Sequence, residues 1–237
     1  MTINNDPMGA AIADFFATGK AKTLEVLSPM FDDDIMPIET LFRTFPEMQP
    51  IEQTALNEAR GNILDVGAGS GCHSIVLQQM GKRTTAIDIS PLSVETMKKR
   101  GIADARLQDL FKMDGSEKFD TLLMLMNGAG ICGTLDRLPD LLNHLKTLLA
   151  PGGQILMDSS DLRYLYEDEN GDLDLEGVES YYGEVVYQMR YGDIMGEAFP
   201  WLYVDYNTLQ GCAEACGLHC ELLVEGNHYD YLCRITL

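Results

Sequence analysis

Leu64-Asp-Val-Gly-Ala-Gly-Ser-Gly-Cys72 decides how the rest of the chain is read. The run Asn62-Ile-Leu-Asp-Val-Gly67 is a short apolar strand that ends in glycine, and Cys72 to Met80 carries a helical pattern. Glycines 67, 69 and 71 lie in the turn between them. A turn this tight needs backbone angles that only glycine adopts freely, and it lets a ligand approach the main chain closely. The first amides of the helix then face the same point and favour a negatively charged group.

Outward from this turn, apolar runs and helical patterns alternate. Thr84 to Asp88 reads as a second strand, and Ser90-Pro91 starts a helix through Arg100, with serine at the N-cap and proline at the first helical position. Ala105 to Leu107 is a brief third strand. Phe119 to Met126 is a fourth, apolar throughout and so buried on both faces. Leu135 to Leu149 is a helix closed by Pro151-Gly-Gly153, and Gln154 to Asp158 is a fifth strand. Such alternation predicts parallel βαβ units in a doubly wound α/β sheet. Tyr206 to Cys216 reads as a helix. Leu218 to Val224 and Tyr229 to Ile235 pair as an antiparallel hairpin across Glu225 to His228.

Two stretches stand outside this frame. Residues 1–60 read as an N-terminal helical lid, with helices over Ala10 to Ala17, Pro37 to Phe45 and Pro50 to Arg60, and Asp32, Asp33 and Asp34 in a turn. Residues 61–237 form the main domain, with an insertion at 160–204. In that insertion Glu184 to Tyr191 and Glu197 to Val204 are strand-like, and Asn170-Gly171 signals a hairpin turn.

The chain has 237 residues, 46% hydrophobic and 23% charged, enough to bury a core without staples. Lysine and arginine number 17 against 37 acids, a formal charge of −20 that repels phosphate backbones and argues against a nucleic-acid partner. No apolar run spans a membrane, and the N-terminus lacks a signal-peptide pattern, so a cytoplasmic chain with free thiols is expected. Cys212, Cys216, His219 and Cys220 are spaced faintly like a metal cluster. One helical turn separates the first two, Gly217 stops the helix, and Cys220 falls in the next strand, so they read as packing residues and no metal is expected. Asp168, Asn170, Asp172, Asp174 and Glu179 imitate calcium-loop spacing, but Leu173 occupies the position where that loop needs glycine, and a solvated acidic hairpin is expected.

The glycine turn resembles the nucleotide motif of class I S-adenosylmethionine-dependent methyltransferases. Dinucleotide binders use G-x-G-x-x-G, which would place the third glycine at residue 72. Here residue 72 is cysteine and the third glycine is 71, with Asp65 two positions before the first. The resemblance covers about residues 62–160 and the closing hairpin. It implies a Rossmann-like seven-stranded sheet ordered 3-2-1-4-5-7-6 with the last strand antiparallel, and S-adenosyl-L-methionine as cofactor. By the same resemblance Gly67, Ala68, Gly69 and Gly71 cradle the cofactor, while Asp65 either holds the glycine loop in place or attracts the cofactor's ammonium group. Asp88 grips the ribose hydroxyls, next to Ile89. Asp109, next to Leu110, holds the adenine amino group, and Asn127 faces the methionine or the acceptor. Asn127 is followed by Gly-Ala rather than the Pro-Pro-aromatic of many nucleobase and glutamine methylases, which again argues against a nucleic-acid substrate.

Other candidates come from the residues themselves. Ligands gather at the carboxyl ends of parallel strands, and the exit loop of the penultimate strand lies on that face, so His228 is the candidate general base. Arg43 suits the planar cofactor carboxylate. Trp201 and Tyr203, with Tyr187 and Tyr191, are aromatics of the insertion that either line an acceptor pocket or pack the arm on the core. A lid and an insertion over the cofactor face would close a pocket, which favours a small-molecule acceptor. The same cover could instead form a protein-docking or homodimer surface. A nicotinamide-dependent oxidoreductase, an aminopropyl transferase and a non-catalytic cofactor-binding protein are the alternatives, since the fold alone does not choose among them.

Overall fold

A computed structural model describes residues 5–167, 173, 175, 177, 178 and 180–237. The Asn170-Gly171 turn and the acids with calcium-like spacing lie outside these described residues. The chain opens with helix α1 (Pro7–Thr18), strands β1 (Leu24–Leu27) and β2 (Asp34–Met36), and helix α2 (Pro50–Glu58). The strand and helix alternation follows: β3 (Asn62–Val66), α3 (Cys72–Gln79), β4 (Arg83–Asp88), α4 (Pro91–Lys99), β5 (Ala105–Leu107), β6 (Phe119–Met124), α5 (Leu138–Leu148) and β7 (Leu149–Ser160). The insertion supplies β8 (Glu184–Tyr191), β9 (Ile194–Met195) and β10 (Phe199–Leu202). Helix α6 (Tyr206–Ala215) and strands β11 (His219–Glu225) and β12 (Asp230–Thr236) complete the chain.

The main sheet has seven strands in the order β5-β4-β3-β6-β7-β12-β11, the expected 3-2-1-4-5-7-6. Strands β3 to β7 pair in parallel, and β12 runs antiparallel to both its neighbours. Successive side chains of a strand point to opposite faces, so β3 and β6 each serve two cores. Leu64 and Leu122 pack with α5 and α6, while Ile63 and Leu123 pack with α2 and α3. Helix α5 shows why it lies where it does. Leu138, Leu141, Leu142, Leu145 and Leu148 form one buried stripe at helical spacing.

The N-terminal segment departs from the helical expectation. Pro37 to Phe45 holds a short 3-10 helix, Ile38–Phe42, rather than a full helix, and two strands precede it. Strand β1 pairs antiparallel with β8, and the second sheet runs β10-β8-β1-β2 with β9 also on β8. Segments that read as a lid and an insertion thus share one sheet above the carboxyl ends of the parallel strands. Helix α1 is fixed at its start by Asp6. Its carboxylate caps the Gly9 amide at 2.8 Å and accepts the Ser90 hydroxyl at 2.5 Å. Ser90 in turn caps α4, so the first helix is tied to the strand end that carries Asp88.

Candidate functional site

The glycine turn is built as its sequence requires. Gly67, Gly69 and Gly71 have φ of 66°, 56° and 80°, all in the left-handed region. Gly71 also meets a close approach, because a Cβ there would lie 2.1 Å from Ile102 Cδ1. Asp88, at the end of β4, accepts the Gly69 amide at 2.8 Å on one oxygen and the Ser90 amide at 2.8 Å on the other. Each oxygen keeps a lone pair for a further donor. Burial pushes the Asp88 carboxyl up, and these two amides pull it back in part. Asp65 is buried below the turn and accepts the Ser74 hydroxyl at 2.6 Å, and burial raises it also.

A buried ion network lies against the turn. Glu52 on α2 binds Arg43 Nη2 at 2.6 Å and His73 Nε2 at 2.8 Å through one oxygen, and accepts the Gln49 amide at 2.9 Å through the other. Burial alone would raise the Glu52 carboxyl, but His73, Gln49 and Arg43 together hold it below its ordinary value. Arg43 keeps one buried nitrogen, Nε, without a partner among the described residues.

The exit of β6 has an unusual backbone. Met126 and Asn127 both have left-handed angles, with φ of 64° and 58°. Such a pair of non-glycine residues persists only when its surroundings impose it. Asp158, at the end of the neighbouring β7, supplies that constraint. Its two oxygens accept the Met126 amide at 3.0 Å and the Gly128 amide at 3.1 Å. Ser160 donates to Asn127 Oδ1 at 3.0 Å. Burial pushes the Asp158 carboxyl up to about 6 against the pull of the amides.

These elements border a cleft of about 1320 Å³ between the two sheets. Arg43, Gly67, Asn127 and Asp158 stand on its walls together with Trp201, Tyr203 and His228. Tyr187 and Tyr203 join their hydroxyls at 3.1 Å, and Phe199 meets Trp201 edge to face. A smaller adjoining cavity of about 40 Å³ is lined by Asp65, Gly67, Ala68, Gly69 and His73.

The expected residues therefore fall into two groups. Asp65, Gly67, Ala68, Gly69, Asn127, Arg43, His228, Trp201 and Tyr203 converge on the two cavities. Gly71, Asp88, Ile89, Asp109 and Leu110 do not line them. Asp88 touches the glycine turn, Ile89 is exposed beside it, and Leu110 is buried in the main core. Asp109 caps its own loop by accepting the Phe111 amide at 3.0 Å. Tyr191 lies away from the cleft, buried beside α1 with its hydroxyl on Asp14. His228 is exposed on the β11–β12 turn. Two residues escaped the sequence reading. Asp158 had a usable signal, an acid closing the apolar run Ile155-Leu-Met. Glu52 reads in the sequence only as an acid in the first turn of its helix, and nothing there announces its bonds to Arg43 and His73.

The model of a methyltransferase domain matches residues 41–222. The chain belongs to the class I S-adenosylmethionine-dependent methyltransferase family. A solved methyltransferase of this kind from Bacteroides fragilis, in complex with S-adenosyl-L-homocysteine, is 53% identical with a TM-score of 0.94, over 100% of this chain and 97% of that one. More distant likenesses are of fold. The CcbJ methyltransferase from Streptomyces caelestis is 14% identical with a TM-score of 0.62, over 97% of each chain. The sugar N-methyltransferase KedS8 from Streptoalloteichus is 16% identical with a TM-score of 0.54, over 83% of this chain and 87% of that one. This methyltransferase uses S-adenosylmethionine. Among its described residues no helix is long and apolar enough to cross a membrane.

Proposed function

We propose that this methyltransferase transfers the methyl group to a small molecule, by in-line displacement, in the cleft between its two sheets. The observation that carries the reading is the cleft itself, with the glycine turn and Arg43 at one part of its wall and an aromatic cluster at another. When bound, S-adenosylmethionine supplies an electrophilic methyl group on a sulfonium. The residues present suit that cofactor. The unpartnered Nε of Arg43 is a ready donor for a carboxylate, and the left-handed turn at Gly67 to Gly71 leaves open main chain above α3. In this reading Asp88 holds the ribose hydroxyls through its free lone pairs, with Ile89 alongside, and Asp109 and Leu110 border the adenine. Asp65, buried below the turn, would attract the ammonium group by its charge or serve to hold the turn.

The chain's own work is to align the acceptor and exclude water, which together account for much of the acceleration such a reaction needs. Asp158 fixes the β6 exit turn, and Trp201 and Tyr203 wall the acceptor side. His228 is the base where an acceptor must lose a proton. The charge of −20 supports an acceptor other than nucleic acid. Transfer of radiolabelled methyl into a cell extract, separated by size, tests the reading. Label in a small molecule other than S-adenosylmethionine is expected, and transferred label confined to protein or nucleic acid would contradict it.

A further inference from the structure

The small-molecule reading above leaves the class of acceptor open, and the cleft wall bears on it. Six carboxylates line the cleft: Asp32, Asp33, Asp34, Glu52, Asp158 and Asp230. Its one guanidinium, Arg43, is already bound to Glu52. Among the described residues, none of the other five carboxylates forms an ion pair with a lysine or arginine. Asp158 and Asp230 face the cleft while accepting backbone amides, from Met126 and Gly128 in one case and from His228 at 2.8 Å in the other. Asp32, Asp33 and Asp34 stand exposed at the rim.

An aromatic corner completes the wall. Tyr187 and Tyr203 are set at 81° with centroids 6.4 Å apart, and Phe199 and Trp201 at 83° with centroids 6.1 Å apart. Rings at right angles offer the face of at least one ring to a group seated in the corner. Of the two hydroxyl protons on Tyr187 and Tyr203, one joins the pair and the other is free for a guest. Burial foremost holds the Tyr187 phenol above its ordinary range, and the charge of Asp34 adds to that.

Carboxylates without a lysine or arginine partner and aromatic rings on the same wall complement the same guest. An organic cation gains from the ring quadrupole and from the negative field that a low-dielectric cleft concentrates. A carboxylate would be repelled, and an alcohol would gain from neither. We propose that the acceptor is a protonated amine on an apolar body, recognised by its positive charge; where its nitrogen is the atom methylated, that nitrogen first gives up its proton to a base so that its lone pair can attack.

Trp201 is the chain's one tryptophan and stands in this wall, so its fluorescence reports the acceptor side directly. The full chain, saturated with S-adenosylhomocysteine, is titrated with butyl, cyclohexyl and phenylethyl compounds, each as ammonium, alcohol and carboxylate. Calorimetry runs in parallel. The ammonium member is expected to bind at least about tenfold tighter than its alcohol in at least one skeleton, a difference of about 1.4 kcal/mol. Its carboxylate should be weakest, and Asp34→Asn, an exposed change, should lower the ammonium affinity severalfold. Alcohols binding as tightly as amines, or no binding in any skeleton by protein that holds S-adenosylhomocysteine, would overturn the inference. Failure to hold S-adenosylhomocysteine would instead overturn the cofactor placement, and the small-molecule reading is decided separately by the labelling experiment above.

Discussion

Asp158 holds a charge in the cleft wall where water is scarce, and that has a thermodynamic consequence. Burial raises its carboxyl from 3.8 to about 6. A group with a raised folded value binds its proton more tightly in the fold than in the open chain. Its stabilising contribution is complete below about 3.8 and is lost as pH rises through about 6. The difference corresponds to about 3 kcal/mol. Urea unfolding between about pH 4.5 and 7.5 should therefore show a shallower loss of stability with rising pH in Asp158→Asn than in the parent. Identical slopes would contradict this placement of the carboxylate. Asp158 and Asp88 are the same kind of residue, an acid at the carboxyl end of an apolar parallel strand. Asp88 was legible because its distance from the glycine turn is diagnostic. Asp158 has no such ruler, and its role comes from two amides presented by the next strand over.

Among the elements, the glycine turn separates two costs that its sequence alone merges. Alanine at 67 would meet nothing within 4 Å, so Gly67→Ala carries only left-handed strain, roughly 1–2 kcal/mol. Alanine at 71 adds a clash with Ile102 and Met97 in a packed core, for roughly 1–3 kcal/mol more. Thermal unfolding should rank Gly71→Ala well below Gly67→Ala. Helix α1 gives a second test. Asp6→Ala removes its cap and its hold on Ser90, which should cost about 1–2 kcal/mol and speed hydrogen exchange in α1 ahead of the main sheet. The parallel strands and their helices were readable because each carries a continuous apolar run or a stripe at helical spacing. Strands β1 and β2 were not. They are four and three residues long and carry acids. What makes β1 a strand is pairing with β8, more than 150 positions away, for example Leu24 with Tyr191, and β2 then pairs with β1. Pro37 to Phe45 forms only the short 3-10 helix Ile38–Phe42, whose Leu41 carbonyl accepts the Ser70 hydroxyl beside the glycine turn, a partner distant in sequence.

At the scale of the whole molecule, the seven-stranded sheet supplies the glycine turn, Asp88 and Asp158, and the second sheet supplies the wall that faces them. The parallel order was legible from local pattern and resemblance together. The joint sheet of residues 1–60 and the insertion was not, because its two halves meet only through the long-range pairing of β1 with β8. The cleft's content of carboxylates reflects the charge of −20, yet their arrangement around an aromatic corner is a property of the fold. All of this depends on the cofactor sitting at the glycine turn beside Asp88. Calorimetric titration with S-adenosylhomocysteine, on the parent and on Asp88→Ala shown to be folded, tests that most directly. The account predicts micromolar binding by the parent and a loss of about 1.5–3 kcal/mol, more than tenfold in affinity, in the variant. Equal affinity in the two would place the cofactor elsewhere and contradict it.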